Sequence, residues 1–454
     1  FARKRDKINV TKRSGKPIGT EETMKKVRVG VLGAFRGTSM INYCKIADNA
    51  EVVAICDKWK EGLDIQKKSN EGLNIAYFDN FDDFIKYDMD AVVLANYATE
   101  HAPFAIRCME AGKHVFSEVL PVQTMKEAVE LVECVERTGL VYAYGENYCY
   151  MPAPYEMRKL YREGRIGKLE YAEGEYVHNC CPFWPSITYG DKNHWRNTMY
   201  GTYYCTHSVG PIIHISGLRP VSVVGMESTL NERSLALGRK GAAFGMEIIT
   251  LENGAIVKSI HGDLYKNSIF HSVYGNKGRM ESARESALCG DVKRIYVESD
   301  DYQGAYGTEK REDYIVEEKN EKENVFGHGG SDFWSMYNFI QKIRGDETAD
   351  TIDVYEALDM SMCGMFAYRS ILAGNVPVAI PNLRDKAERE KYRNDVKCTD
   401  PAVAGDQYIP PYHGGEPDIP DEVYDRAREL WLKDLHSDTG YSHAAFHQGE
   451  SEKK

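Results

Sequence analysis

The 454-residue sequence has no CxxC pair, no metal-finger spacing and no apolar run of about 18 residues. The first two absences exclude zinc ribbons and thioredoxin-like redox motifs, and the third excludes a membrane-spanning helix. It has no internal repeat and no low-complexity tract, which excludes solenoids and fibrous arrays. Positive charge is in deficit: the net charge of −12 argues against nucleic acid or an anionic membrane as the general partner. Cysteines number eleven, an odd count, and Cys180-Cys181 are adjacent, a poor geometry for a disulfide framework. Free thiols in a reducing compartment are expected, and with them cytoplasmic residence, a removed leader ahead of Phe1 being left open. Phenylalanine is scarce beside tyrosine, 15 against 30. Tyrosine joins a flat apolar face to a hydroxyl, which suits carbohydrate-like ligands and wet interfaces.

What is present is a globular composition, 42% apolar and 28% charged, in a chain too long for one ordinary core. The pattern divides into an arm over residues 1–25, an α/β domain over 26–147, an α+β domain over 148–376 and a Pro-, Asp- and Tyr-rich extension over 377–454. In the α/β domain a short β-branched run ends at Gly33, Gly37 follows, and a second strand ends in Asp57. Strand, glycine turn, helix, strand and acid together form the layout of a dinucleotide-binding βαβ unit. The glycine spacing is irregular, with Phe35 and Arg36 inside the turn. Asp57 favours NAD over NADP, an effect Arg36 could partly offset. Further strand–helix alternation predicts a doubly wound parallel sheet whose strand ends carry Gly33, Asp57, Asn96, Glu118 and Glu146-Asn147.

Beyond residue 150 longer alternating strands predict an open, mainly antiparallel sheet: 168–178, 221–229, 243–261 folding back at Asn253-Gly254, and 268–284. Helices over 331–344 and 354–371 close this domain, and 421–435 predicts one in the extension. The charged run from Glu309 to Asn324 is expected to be a solvated loop.

The densest chemistry lies in Tyr203-Tyr204-Cys205-Thr206-His207, supported by Glu146-Asn147-Tyr148 and Tyr176-Val177-His178. Histidine beside phenols points to proton transfer on a hydroxylated substrate, although a buried structural histidine gives the same signal. His178, His194, His207, His261 and Asp263 fall in one domain, but none has helix i, i+4 ligand spacing, so no metal is expected.

These segments resemble the Gfo/Idh/MocA oxidoreductases over roughly residues 26–380. The closer similarity is to the NAD-dependent α-N-acetylgalactosaminidases of glycoside hydrolase family 109. It is carried by Glu146-Asn147 ahead of Tyr150, Gly174-Glu175-Tyr176-Val177-His178-Asn179 with Pro182-Phe183-Trp184, His194-Trp195-Arg196, and Tyr204-Cys205-Thr206-His207 before Gly210-Pro211. Val119 stands where dehydrogenases of the larger family carry a lysine, and Tyr203 where they carry an aspartate. The resemblance implies hydrolysis by transient oxidation at C3 of a sugar, elimination across C1 and C2, water addition and re-reduction, with NAD tightly bound and recycled. It places His207, Tyr204 and Tyr176 in catalysis. Gly33, Phe35, Arg36, Gly37, Asp57, Asn96, His101, Glu118 and Asn147 fall at the cofactor, and Glu146, Tyr148, His178, Trp195 and Arg196 at a small carbohydrate substrate. Glu118 as a simple helix cap stays open. The alternatives are a net sugar or inositol dehydrogenase and a non-catalytic NAD-binding relative. Assembly as a homo-oligomer through the second domain's sheet and the terminal arms is expected.

Overall fold

The computed structural model describes residues 25–285, 293–301, 308–317, 326, 328–437 and 439–442. The N-terminal arm, Gly327 and the end of the extension lie outside these residues. Six short strands, β1 (Val27–Leu32), β2 (Ala50–Cys56), β3 (Ala76–Phe78), β4 (Ala91–Leu94), β5 (His114–Ser117) and β6 (Tyr142–Tyr144), form a parallel sheet in the order β3-β2-β1-β4-β5-β6. Val29, Val31, Val92 and Val93 are fully buried, as β-branched strands covered on both faces must be. The order reverses between β1 and β4, and a ligand crevice opens at such a switch point beyond the strands' carboxyl ends.

The second sheet has nine strands: β7 (Leu169–Val177), β8 (Pro220–Glu227), β9 (Phe244–Leu251), β10 (Ile256–Gly262), β11 (Ser268–Gly275), β12 (Gly278–Ser282), β13 (Arg294–Asp301), β14 (Thr308–Ile315) and β15 (Val378–Ala379). Their order is β14-β13-β12-β11-β7-β10-β9-β8-β15, and every pair is antiparallel except β7 with β10. Helices Thr206–Ser216 and Val354–Leu372 cover one face. The other leaves Met226, Ile248, Ile256, Tyr296 and Ile315 exposed. At Gly174 a Cβ would lie 1.9 Å from the Ser208 carbonyl oxygen, so glycine lets the first of these helices lie directly on β7.

One expectation is corrected. Residues 309–315 of the charged run are not loop but part of the edge strand β14, whose Glu312 and Asp313 pair with Arg165 and Arg294, while residues 318–324 of that run lie outside the described residues. Edge strands tolerate charge because one side faces water, and charge there discourages further pairing. The stretch around His207, given no secondary structure above, enters helix Thr206–Ser216, with Pro211 inside it. In its described part the extension also packs on its own chain: Arg389 and Arg393 pair with Glu136 and Glu133, and helix Asp421–Leu435 lies beside Trp184–Thr188.

A buried polar cluster fixes helix Pro152–Arg162 against the second core. Arg158 donates to both oxygens of Asp350 at 2.9 and 2.8 Å, and His214 lies between Asp350 and Glu356 at 3.6 and 2.7 Å. Burial opposes charge on His214, but the Glu356 and Asp350 carboxylates outweigh it and hold its pKa above the ordinary 6.5. A raised histidine stabilises fully below its ordinary pKa and loses that contribution as pH rises through the folded value. The carboxylates, held low, lose theirs on acidification. Denaturation midpoints should therefore fall as pH is raised from about 6 to about 9. His214→Gln should be less stable at pH 6 and show a shallower fall; an unchanged slope would refute this role.

Candidate active site

The cofactor end is set by the turn after β1. Gly33 has φ +108°, and a Cβ there would sit 2.4 Å from the Ala95 carbonyl oxygen, so only glycine lets β1 turn across the end of β4. Asp57, just past β2, accepts from Ala34 N at 2.7 Å and Trp59 N at 2.8 Å. Burial raises its pKa, and these two bonds work against that rise. Helix Thr38–Ile46 starts immediately beyond, with no side chain capping its N-terminus and no acid in its first turn. Asn96 donates to Glu100 at 3.1 Å, while its buried Oδ1 has no partner among the described residues. A close glycine turn, an open helix N-terminus and an acid at the next strand end are the donor and acceptor set that a dinucleotide's pyrophosphate and ribose require. The residues present fit the group.

Arg36 does not face Asp57 as an offset to its charge. It pairs with Glu118 at 2.6 Å and donates to both oxygens of Asp332 at 2.9 and 3.0 Å. Asp332 also accepts from Asn147 Nδ2 at 2.9 Å. Burial pushes the Glu118 carboxyl up while Arg36 pulls it down; Asp332 ends well below the usual range because Arg36 and His328 outweigh its burial. Glu118 thus stands at the cleft wall as an ion-pair partner, not as a helix cap. His101 lies outside the cleft wall: fully buried, it bonds the Leu120 carbonyl through Nδ1 at 2.8 Å, and burial lowers its pKa to about 4. Gly37 also stays behind the wall, against the Gly33 carbonyl.

At the other end His207 stands in a frame of aromatic rings. Its Nδ1 meets Glu146 Oε1 at 2.5 Å, both groups being buried. Tyr148 stacks on the imidazole at 4.2 Å, and Tyr176 and Tyr204 meet it edge-on at 4.7 and 5.1 Å. Its carbonyl is freed by Pro211, which has no N–H to return the helical bond, and His271 Nε2 takes it at 3.2 Å. Burial lowers the His271 pKa to about 4, so the ring is neutral and serves as a donor. With Nδ1 held by a carboxylate, Nε2 of His207 is left for the cleft, the arrangement of an oriented general base. Glu146 and Tyr148 are brought to His207, not to the cleft wall where substrate residues were expected. Tyr203 turns into an apolar cluster with Tyr200 and Trp195.

Burial raises both cleft phenols, Tyr176 well above 10 and Tyr204 to about 12, and Arg196 lowers each in part. They rest as neutral donors. His178, one residue past β7, stacks on Tyr176 at 5.7 Å, and burial lowers its pKa to about 4. Trp195 and Arg196 line the same wall, the guanidinium 4.5 Å from the indole and 5.5 Å from Tyr204. The whole cleft, from Gly33 to His207, has a volume of ≈ 1080 Å³, enough for a dinucleotide and a sugar.

Several lining residues were not foreseen. His261 is opposite Tyr176 in the β10–β7 register and 3.4 Å from buried Glu247. Arg239 reaches the wall from the loop before β9, and Trp431 and Tyr441 arrive from the extension. Tyr441 stacks on Phe183 at 4.9 Å and approaches Phe35 at 6.2 Å. Only the i, i+2 pairing of His261 with Asp263 was a local signal; the other partners are distant in sequence.

Residues 27–146 match the model of the oxidoreductase family, NAD-binding Rossmann fold, and residues 250–388 match the glycosyl hydrolase 109 C-terminal domain. A Solibacter usitatus protein named glycosyl hydrolase family 109 protein is 26% identical over 408 residues, which is 81% of this chain and 89% of that one. A Porphyromonas gingivalis protein of the same name is 25% identical over 399 residues, 79% and 85% of the two chains. In fold, the chain is similar to an Agrobacterium radiobacter oxidoreductase solved with NAD+, L-tartaric acid and magnesium. The TM-score is 0.62 at 13% identity, covering 78% of this chain and 98% of that one. The chain is thus similar to the Gfo/Idh/MocA oxidoreductases across its first domain and to the glycosyl hydrolase 109 C-terminal domain across part of its second.

Proposed function

We propose that this protein is an NAD-dependent glycoside hydrolase that works by transient oxidation of its sugar substrate. The observation that carries the reading is the buried Glu146–His207 pair, Nδ1 to Oε1 at 2.5 Å, with two neutral phenols beside it and Val119 where a dehydrogenase would place its lysine. Bound NAD, held by the Gly33 turn, Asp57, Asn96, Glu118 and Asn147, supplies hydride acceptance and hydride return. The remaining work is proton handling by the chain. His207 takes the C3 hydroxyl proton, and Glu146 stabilises the imidazolium that results. Tyr176 and Tyr204 donate to the oxygen on which negative charge grows. For either phenol to take the C2 proton it must first ionise, and Arg196 is the group that opposes burial there. His178 orients Tyr176. The exposed face of the nine-stranded sheet is proposed as a self-association surface.

Incubating the protein with nitrophenyl α- and β-glycosides, following nitrophenol and the NADH absorbance together, tests the reading. Nitrophenol without net NADH is expected; stoichiometric NADH with the glycoside intact would assign a net dehydrogenase instead. His207→Asn should lower kcat by about 10²- to 10⁴-fold with NAD still bound, and Tyr176→Phe should lower release likewise. Full activity in both variants would sink the site assignment. NAD should bind at least about tenfold more tightly than NADP, and Asp57→Ser should narrow the gap; equal affinities in the unaltered protein would contradict the role of Asp57.

A further inference from the structure

Resting on the glycoside reading above, we propose that the sugar carries an anionic substituent, a carboxylate or a sulfate, which Arg196 and Arg239 receive together. The two guanidinium groups line the second-domain end of the cleft, and Arg239 shares its carboxylate, Asp263, with Arg233. Among the described residues no carboxylate lies within ion-pair distance of Arg196, whose guanidinium instead rests over Trp195 and beside Tyr204. Arg239 is only 3% exposed. Its Nη2 donates to the Ala242 carbonyl at 2.8 Å, and its Nε has no partner among the described residues. The nearest carboxylate, Asp263, is 4.0 Å away and already committed: it pairs with Arg233 at 3.2 Å and accepts from Cys180 N at 3.0 Å and Cys181 Sγ at 3.1 Å.

Two other acids are matched: Glu146 holds His207 and Glu118 holds Arg36. Buried Glu247 lies 3.4 Å from His261, and neither of its oxygens has a hydrogen-bond partner among the described residues. Two cations therefore share a partly desolvated pocket with one saturated carboxylate. Burial disfavours the charge on Arg239; Asp263 offsets that in part, and the neighbouring Arg196 adds to it. A buried cation without a counter-charge is costly, and an anion entering between the two relieves the cost. The guanidinium fork fits the paired oxygens of a carboxylate or a sulfate, and Trp195 offers a flat face to the ring that bears it. Tyr204 touches both Arg196 and His207, so the anionic group sits on the reacting sugar itself and not on a remote unit.

The test uses the full chain loaded with NAD. Glucuronate, galacturonate and galactose 6-sulfate are titrated against glucose and galactose, with tryptophan fluorescence or calorimetry as the readout, at low and high salt. The expected result is at least about tenfold tighter binding of the anionic sugars, weakened by salt, with the sulfate arm separating carboxylate from sulfate preference. Arg196→Gln and Arg239→Gln should each erase the preference, and Arg196→Lys should retain part of it. If Arg239→Gln does not fold, Arg196→Gln decides alone. Equal or tighter binding of the neutral sugars, or a preference that survives Arg196→Gln, overturns the proposal. Nitrophenyl glucuronide separates the two readings. Uronate binding with no nitrophenol from any glycoside overturns the hydrolase and leaves the anion subsite standing. Release from neutral glycosides with no uronate preference does the reverse.

Discussion

One half-buried cation, paired with two buried carboxylates, holds the cleft together. Arg36 leaves the glycine turn, neutralises Glu118 at the end of β5 and forks onto Asp332 in the first turn of helix Ser331–Ile343. Asn147 joins the same carboxylate from the segment that leads out of the parallel sheet. Three stretches that meet nowhere in sequence are tied by one guanidinium, and a fourth joins through Asp332. Breaking a buried pair of this kind costs on the order of 3–5 kcal/mol, because the partner is left charged and dry. Here two carboxylates would be left, so the position of Arg36 fixes the floor on which any ligand rests.

The parallel sheet was legible because its signals are local. Val27–Leu32, Gly33 and Asp57 stand within one βαβ unit, and the hairpin at Asn253-Gly254 announces itself by turn chemistry. The residues missed had partners far away. Asp332 reads as an ordinary helix start until Arg36 is brought to it, and Arg239 reads as a surface arginine. Glu146 was placed at the substrate because nothing in its neighbourhood names His207 as its partner. The helix at Thr206–Ser216 was hidden by Pro211, and the edge strand β14 by its own charges. In both cases tertiary packing overrode what local propensity indicated.

Pro211 costs the helix a hydrogen bond, and the structure uses the vacancy. His207 is held at two points, its ring by Glu146 and its carbonyl by His271, which reaches it from β11. A side chain fixed at the ring alone can still move with a mobile backbone. One fixed at both loses that freedom, and pre-organisation of this sort is what a proton relay requires. Kept neutral by burial, His271 donates there from the tautomer that carries its proton on Nε2.

The contact of Tyr441 with Phe183 and Phe35 has a consequence for biosynthesis. Phe35 belongs to the first turn of the first sheet, and Tyr441 to the last described turn of the chain. Domains generally fold in order of emergence during translation. The dinucleotide crevice can therefore form early, while its mouth stays unwalled until Tyr441 has emerged. A nascent chain that stops short of Tyr441 would have an open vestibule, and the aromatic rim follows once that residue is in place.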